Sequence, residues 1–180
     1  MLIPACTVAV EIQNKFRLIF YGETMFWANG IFSEVPVIQE TSKVDDNGDQ
    51  ILYQYACVSK DIKKFYGFFQ FKLNRVTRSI EEVFIIRFTD EGRTIFNRDV
   101  LDYINYIIKE WNINRMEFHA IGGNPVIKVY RKFIKRFNGQ EFVLHDVVKD
   151  KYDKYHDEHI FEILLKNDES FGVKKFKKLD

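Results

Sequence analysis

The side chains able to do chemistry gather between Val83 and Gly139. In the run MEFHAI (Met116–Ile121), Glu117 and His119 alternate onto one face of a strand. A carboxylate beside an imidazole is suited to general-base work, directly or through a water. Glu82, at the head of an earlier apolar run, is a lesser base. Arg93 and Arg98 bracket the start of a helical pattern at Asn97. Gly122-Gly123 supplies the freedom that a strand-to-helix turn needs. His156-x-x-His159, with Asp157 and Glu158 between, offers ligand-type residues. Positions three apart point to opposite faces of a strand, however, and no third ligand stands at a recognisable spacing. That stretch reads as a solvated loop, and no metal site is expected. Around Cys6 and Cys57 no arrangement for covalent nucleophilic catalysis is visible.

The elements that must position these residues are well punctuated. VFIIRF (Val83–Phe88) is apolar on both faces apart from Arg87, which is how a strand covered on both sides reads. The turn TDEGRT leads into NRDVLDYINYIIKEW. There Val100, Leu101, Ile104, Ile107, Ile108 and Trp111 recur at the three-and-four spacing of one helical stripe, with Asn97 in the N-cap place. MEFHAI is a second short strand, closed by GGNP. Asn124 is expected as N-cap and Pro125 as first residue of the next helix, whose stripe is Val126, Val129, Tyr130, Phe133, Ile134 and Phe137. Asn138-Gly139 ends it. A strand, helix, strand, helix order of this kind lays both strands parallel in one sheet with their carboxyl ends together. Ligands of such sheets bind outside those ends, so the candidate site is Thr89–Arg98 with Gly122–Lys128.

Around this unit, ILYQYACVS and KFYGFFQFKLNRV read as an antiparallel hairpin across a charged turn, and RSIEE leads into the Val83 strand to complete a meander. Residues Met1 to Glu40 are expected to hold one strand and one or two short helices, with a polar turn at Asp45–Asp49. After Gly139, EFVLHDVV and HIFEILLK form a closing hairpin joined by the charged KDKYDKYHDE. The pattern is α+β, or mixed α/β. With 180 residues, 46% of them hydrophobic, one domain with a real core is the simplest expectation: a variable part (1–49), a sheet-and-helix core (50–166) and a basic tail (167–180). The 27 basic and 26 acidic residues leave no global field for a polyanion, so nucleic acid is not an expected partner. The lysines of GVKKFKKLD read as a solvated, mobile end. No apolar run reaches the roughly 20 residues of a membrane span. Two unpaired cysteines and an opening without a basic leader point to the cytoplasm.

This order of elements, over roughly residues 50–166, resembles the GNAT superfamily of N-acetyltransferases. The most specific match is NPVIKVYRKFIKRFNG (Asn124–Gly139), which resembles the family's Asn, helix with Tyr-x-Lys, then Gly; here the Tyr-x-Lys is Tyr130-Arg131-Lys132. The interval from Asn124 to Tyr130 is one residue shorter than the commonest form. The family's other signature, Q/R-x-x-G-x-G/A, places Arg93 first but Phe96 and Arg98 where glycines usually admit the coenzyme's pyrophosphate. The resemblance implies a central mixed sheet of about six to seven strands flanked by helices, with acetyl-CoA as acyl donor. It further implies an amine acceptor, small or on a protein, and allows a homodimer. It makes Tyr130 the acid for the departing thiolate, while Glu117 and His119, together on one strand face, are the expected base for the amine. A backbone amide near Arg87, Phe88 and Thr89 becomes the oxyanion donor. Arg93, Thr94, Phe96, Asn97, Arg98, Asn124, Lys128 and Tyr130 fall on the coenzyme. The alternative is a domain of the same fold that has lost catalysis and serves as a binding or structural module, a reading favoured by the glycine-poor loop and the abundant Phe and Tyr.

Overall fold

A computed structural model describes residues 1–20, 37–39, 43–44, 48–150 and 152–165. Among these, β1 (Leu2–Pro4) and a 3-10 turn (Ala5–Val8) lead into α1 (Ala9–Phe20). The strands β2 (Lys43–Val44), β3 (Gln50–Val58), β4 (Phe65–Asn74) and β5 (Ser79–Arg87) follow. Then come α2 (Arg93–Glu110), β6 (Arg115–Ile121), α3 (Val126–Arg136), β7 (Gln140–Lys149) and β8 (Tyr155–Leu164). One mixed sheet runs in the order β1-β3-β4-β5-β6-β8-β7, with β2 also on β3. The β3–β4–β5 meander is antiparallel, as its short polar turns require. β5 and β6 are adjacent and parallel, and the closing hairpin sets β8 beside β6.

Both faces of the sheet are covered over its middle, for a reason visible strand by strand. In β4, Phe68 points to one side while Phe69, Phe71 and Leu73 are buried on the other. Val8, Ile12 and Phe16, four apart, bring the N-terminal helical segment onto the first side against Phe68, Phe84 and Ile86. Phe16 is fully buried, edge-on to Phe68 at 5.1 Å, and burial of such a ring stabilises by roughly 1.5–3 kcal/mol. The second side takes α2 through Phe96, Val100, Ile104 and Ile107, and α3 through Ile127 and Ile134. The one buried amide of β4, Gln70, is met by Gln54 Nε2 at 2.8 Å.

Several local expectations shift. α2 begins at Arg93, so Asn97 is not its N-cap but an exposed residue inside the first turns. Phe96 belongs to the same buried stripe as Val100, and that extra turn pulls the helix start back to Gly92. In α3 the stripe is rotated: Ile127 is buried while Val129 is 46% exposed. Trp111 closes α2 as its C-cap and is 38% exposed. His156, Asp157 and Glu158 lie in β8 rather than in a solvated loop, since the hairpin turn contracts to the residues around Asp150–Lys154. Of the opening segment, β1 and α1 supply the expected strand and one of the expected helices, while residues 21–36, Asp45–Asn47 of the polar turn and the lysine tail lie outside the described residues.

Candidate functional site

β5 and β6 pair over a short length only: Ser79 with Arg115, Ile80 with Met116 and Val83 with Phe118. Past that point β5 remains laddered to β4 as far as Arg87, and β6 to β8 as far as Ile121. The two strands therefore part at their carboxyl ends and leave a wedge. The Phe88 amide donates to Tyr66 O at 2.9 Å, and partners alternate along an antiparallel ladder. The amides of Ile85 and Arg87 consequently face away from β4, into the wedge. Ile85 is 38% exposed between Phe84 and Ile86, both nearly buried, which marks the gap from the side-chain side.

The N-terminus of α2 stands at the mouth. Gly92, its N-cap, has φ +76°, and a Cβ there would lie 2.4 Å from the Tyr66 ring, so the chain can turn tightly only with glycine. The Arg93 amide bonds to Asp90 O at 3.2 Å and the Phe96 amide to Gly92 O at 2.8 Å. Thr94 and Ile95 are thus the first-turn amides without an acceptor inside the helix. Arg93 and Thr94 are exposed, and Arg93 makes no ion pair among the described residues. Phe96 and Arg98 are not on this loop. Phe96 is 1% exposed in the core, its ring against Gly67, and obstructs nothing. Arg98, exposed on α2, is engaged by Asp99 at 2.7 Å, which also holds the N-terminal amine at 3.0 Å. Arg87 reaches Asp90 at 3.5 Å, Phe88 packs near α1, and the Thr89 hydroxyl accepts from the Glu91 amide at 3.2 Å.

On the opposite wall, Asn124 Oδ1 accepts the Val126 amide at 2.9 Å, the N-cap bond expected of it, and Pro125 already has helical φ and ψ. Lys128 is exposed on the first turn of α3. Tyr130 lies edge-on to Phe118 at 4.6 Å and to Phe161 at 5.3 Å, level with the last β5–β6 partner. Its hydroxyl has no hydrogen-bond partner among the described residues, and burial pushes its pKa up to about 12. It stays a neutral donor through ordinary pH.

Glu117 and His119 share a face as alternation demands, and it is the face away from α2 and α3, since Met116, Phe118 and Ala120 fill the helix side. His119 Nε2 meets Glu117 Oε1 at 2.8 Å and Nδ1 meets Glu158 Oε1 at 2.7 Å. Arg115 takes Glu117 at 2.5 Å and Glu162 at 2.6 Å. Glu82 sits apart, ion-paired to Lys72. The two histidines of β8 diverge: His156 bonds Asp150 at 2.8 Å and His159 bonds Glu141 at 2.7 Å. Glu141 also receives Arg131, which with His159 holds its carboxyl below the usual range. No cluster of three His, Cys, Asp or Glu suited to a metal ion occurs among the described residues.

Two residues of the site escape the sequence. Gly92 was hidden in a polar turn, although counting Phe96 into the stripe with Val100 would place a helix start directly after it. Glu158, in a run of charges, gave no sign of being 8% exposed.

The architecture is the α+β fold of acetyltransferases. It is similar to a single-site mutant of spermidine N-acetyltransferase from Vibrio cholerae, with a TM-score of 0.50 at 18% identity over 67% of this chain and 68% of that one. Spermidine/spermine N-acetyltransferase of the same organism, in complex with manganese ions, matches with a TM-score of 0.50 at 20% identity over 72% of each chain. No family model and no curated protein matches the sequence. No helix among the described residues is long and apolar enough to cross a membrane.

Proposed function

We propose that the protein is an acyl-coenzyme A-dependent N-acetyltransferase, moving an acetyl group to an amine by direct attack. The observation that carries this is the wedge between β5 and β6, with amides along β5 and at the α2 N-terminus that have no partner among the described residues. The residues present suit the donor. Thr94 and Ile95 amides, the positive end of the α2 dipole, Arg93 and Lys128 fit a pyrophosphate, and the β5 edge at Ile85 and Arg87 fits an extended amide-bearing arm. Acetyl-coenzyme A supplies an acetyl group activated as a thioester.

The chain's own residues then divide the work. The Arg87 amide stabilises the oxyanion as the amine nitrogen bonds to the carbonyl carbon and the carbon–sulfur bond breaks. The amine's proton passes to the Glu117–His119 pair, and the Tyr130 hydroxyl donates to the departing sulfur. A phenol at about 12 is a weaker acid than a thiol near 8.5, so a hydrogen bond to the thiolate, rather than complete transfer within the apolar pocket, is the favourable arrangement. The acceptor is an amine, small or on a protein. The carboxylates of Glu81, Glu117, Glu158 and Glu162 on that face favour a cationic one, in keeping with the spermidine named for the solved relatives of the fold. A cytoplasmic setting belongs to the same proposal.

The rival, an inactive module of the same fold, drew on Phe96 and Arg98 as obstructions in the phosphate loop; both lie within α2, Phe96 in the core. Acetyl-coenzyme A is expected to raise the melting temperature, by about 2.7 kcal/mol of stability at a hundredfold excess over Kd, and to titrate calorimetrically. No shift and no heat at millimolar ligand would sink the reading.

A further inference from the structure

Resting on the acetyltransferase reading for its role in turnover, though not for its structural content, a further residue can be assigned. We propose that Glu158 is a positioning residue that holds a proton on Nδ1 of His119 and thereby leaves Nε2 as the atom exchanging a proton with the acceptor amine. Four side chains form a line along the face of the sheet away from α2 and α3. Arg115 binds Glu117, Glu117 Oε1 faces His119 Nε2 at 2.8 Å, and His119 Nδ1 faces Glu158 Oε1 at 2.7 Å. His119 is the first residue of β6 beyond Phe118, the last to pair with β5. The line therefore runs from the closed part of the sheet to the edge of the wedge.

A neutral imidazole has one donor and one acceptor nitrogen, yet both nitrogens here face carboxylate oxygens. When the ring carries a single proton, one of the two contacts must give way, and burial decides which. Glu158 is 8% exposed, and His119 is its sole ion-pair or side-chain hydrogen-bond partner among the described residues. A buried carboxylate stripped of its one donor bears the full cost of desolvation. Glu117 is more exposed and keeps Arg115 on its other oxygen whatever the ring does. Arg115 in turn is shared with Glu162 and, at 3.9 Å, with Glu81. Those are the ion-pair partners of His119 and Arg115 on β5, β6 and β8 among the described residues, and His156, two residues before Glu158 on the same face of β8, is engaged by Asp150. The proton therefore stays on Nδ1 toward Glu158, and the lone pair at Nε2, beside the more accessible Glu117, is the one free to take a proton. Glu158 acts through His119 and touches no substrate.

The test reads the tautomer directly. In uniformly 15N-labelled full-length protein, two-bond proton–nitrogen correlations distinguish a protonated Nδ1 from a protonated Nε2, with the His119 signals identified by their loss in His119→Gln. At a pH where the ring is neutral, the wild type and Glu117→Gln are expected to show Nδ1–H. Glu158→Gln removes the buried charge and is expected to shift the ring to Nε2–H, toward Glu117. Glu158→Gln should also lower kcat about tenfold, with KM for acetyl-coenzyme A unchanged. Nε2–H in the wild type, or the same tautomer in wild type and Glu158→Gln, overturns the assignment whatever the activity. The expected tautomer pattern in a protein that neither binds nor uses acetyl-coenzyme A supports the holding of the Nδ1 proton by Glu158 and overturns the acetyltransferase reading instead.

Discussion

Gly92→Ala perturbs fold and site at one atom. At φ +76° an L-residue carries a left-handed penalty of about 1–2 kcal/mol. The added methyl would also meet Cδ1, Cε1 and Cγ of Tyr66 at 2.4, 2.6 and 2.7 Å, against the roughly 3.5–4.0 Å of an ordinary carbon contact. Tyr66 is 8% exposed, so its ring must push into packed neighbours, an overpacking cost of about 1–3 kcal/mol. Together these give a loss of roughly 2 to 5 kcal/mol, at about 2–4 °C of melting temperature per kcal/mol for a chain of this size. Urea denaturation should show a lower midpoint at unchanged slope. The clash component is separable, because Tyr66→Ala removes the ring that the methyl meets. In that background Gly92→Ala should cost only the backbone penalty. An equal cost in both backgrounds, or a loss below about 1 kcal/mol in the wild type, would refute the reasoning that Gly92 is required by both its turn and its neighbour.

Arg93→Ala should leave urea stability within about 0.5 kcal/mol, since the side chain is exposed and has no ion-pair partner among the described residues, while weakening acetyl-coenzyme A in calorimetry about tenfold or more, the worth of one charge-assisted contact. Tyr130→Phe should lower kcat by roughly 10- to 100-fold, as expected for losing a hydrogen bond to a charged sulfur, with stability at neutral pH hardly changed because the hydroxyl has no partner among the described residues to lose. The raised Tyr130 pKa has a further sign: its stabilising share is whole below pH 10, the unfolded value, and disappears as pH climbs through about 12, so Tyr130→Phe should flatten alkaline unfolding between those limits. Glu141 is the opposite case. Arg131 first, then His159, depress its pKa, so its contribution is present above about pH 4.5 and lost as pH falls further; Glu141→Gln should make acid unfolding less steep there, by circular dichroism.

The strands and helices of residues 50–165 could be read from the chain because their signals are local. Alternation in Phe65–Phe71, the three-and-four stripe of Val100, Ile104 and Ile107, and the Asn124-Pro125 cap all act over a few residues, and each forms the element its pattern demands. The pairing of Glu117 with His119 was legible for the same reason, two positions apart on one strand being neighbours by geometry alone. What stayed hidden depends on contacts between residues far apart in the chain. Whether Phe96 blocks a loop or fills the core turns on Gly67, and why residue 92 is glycine turns on Tyr66. Glu158 is a solvated charge by composition and a buried partner of His119 only because the closing hairpin lays β8 against β6. The wedge itself follows from where β5 and β6 stop pairing, a matter of register between strands that no single strand encodes.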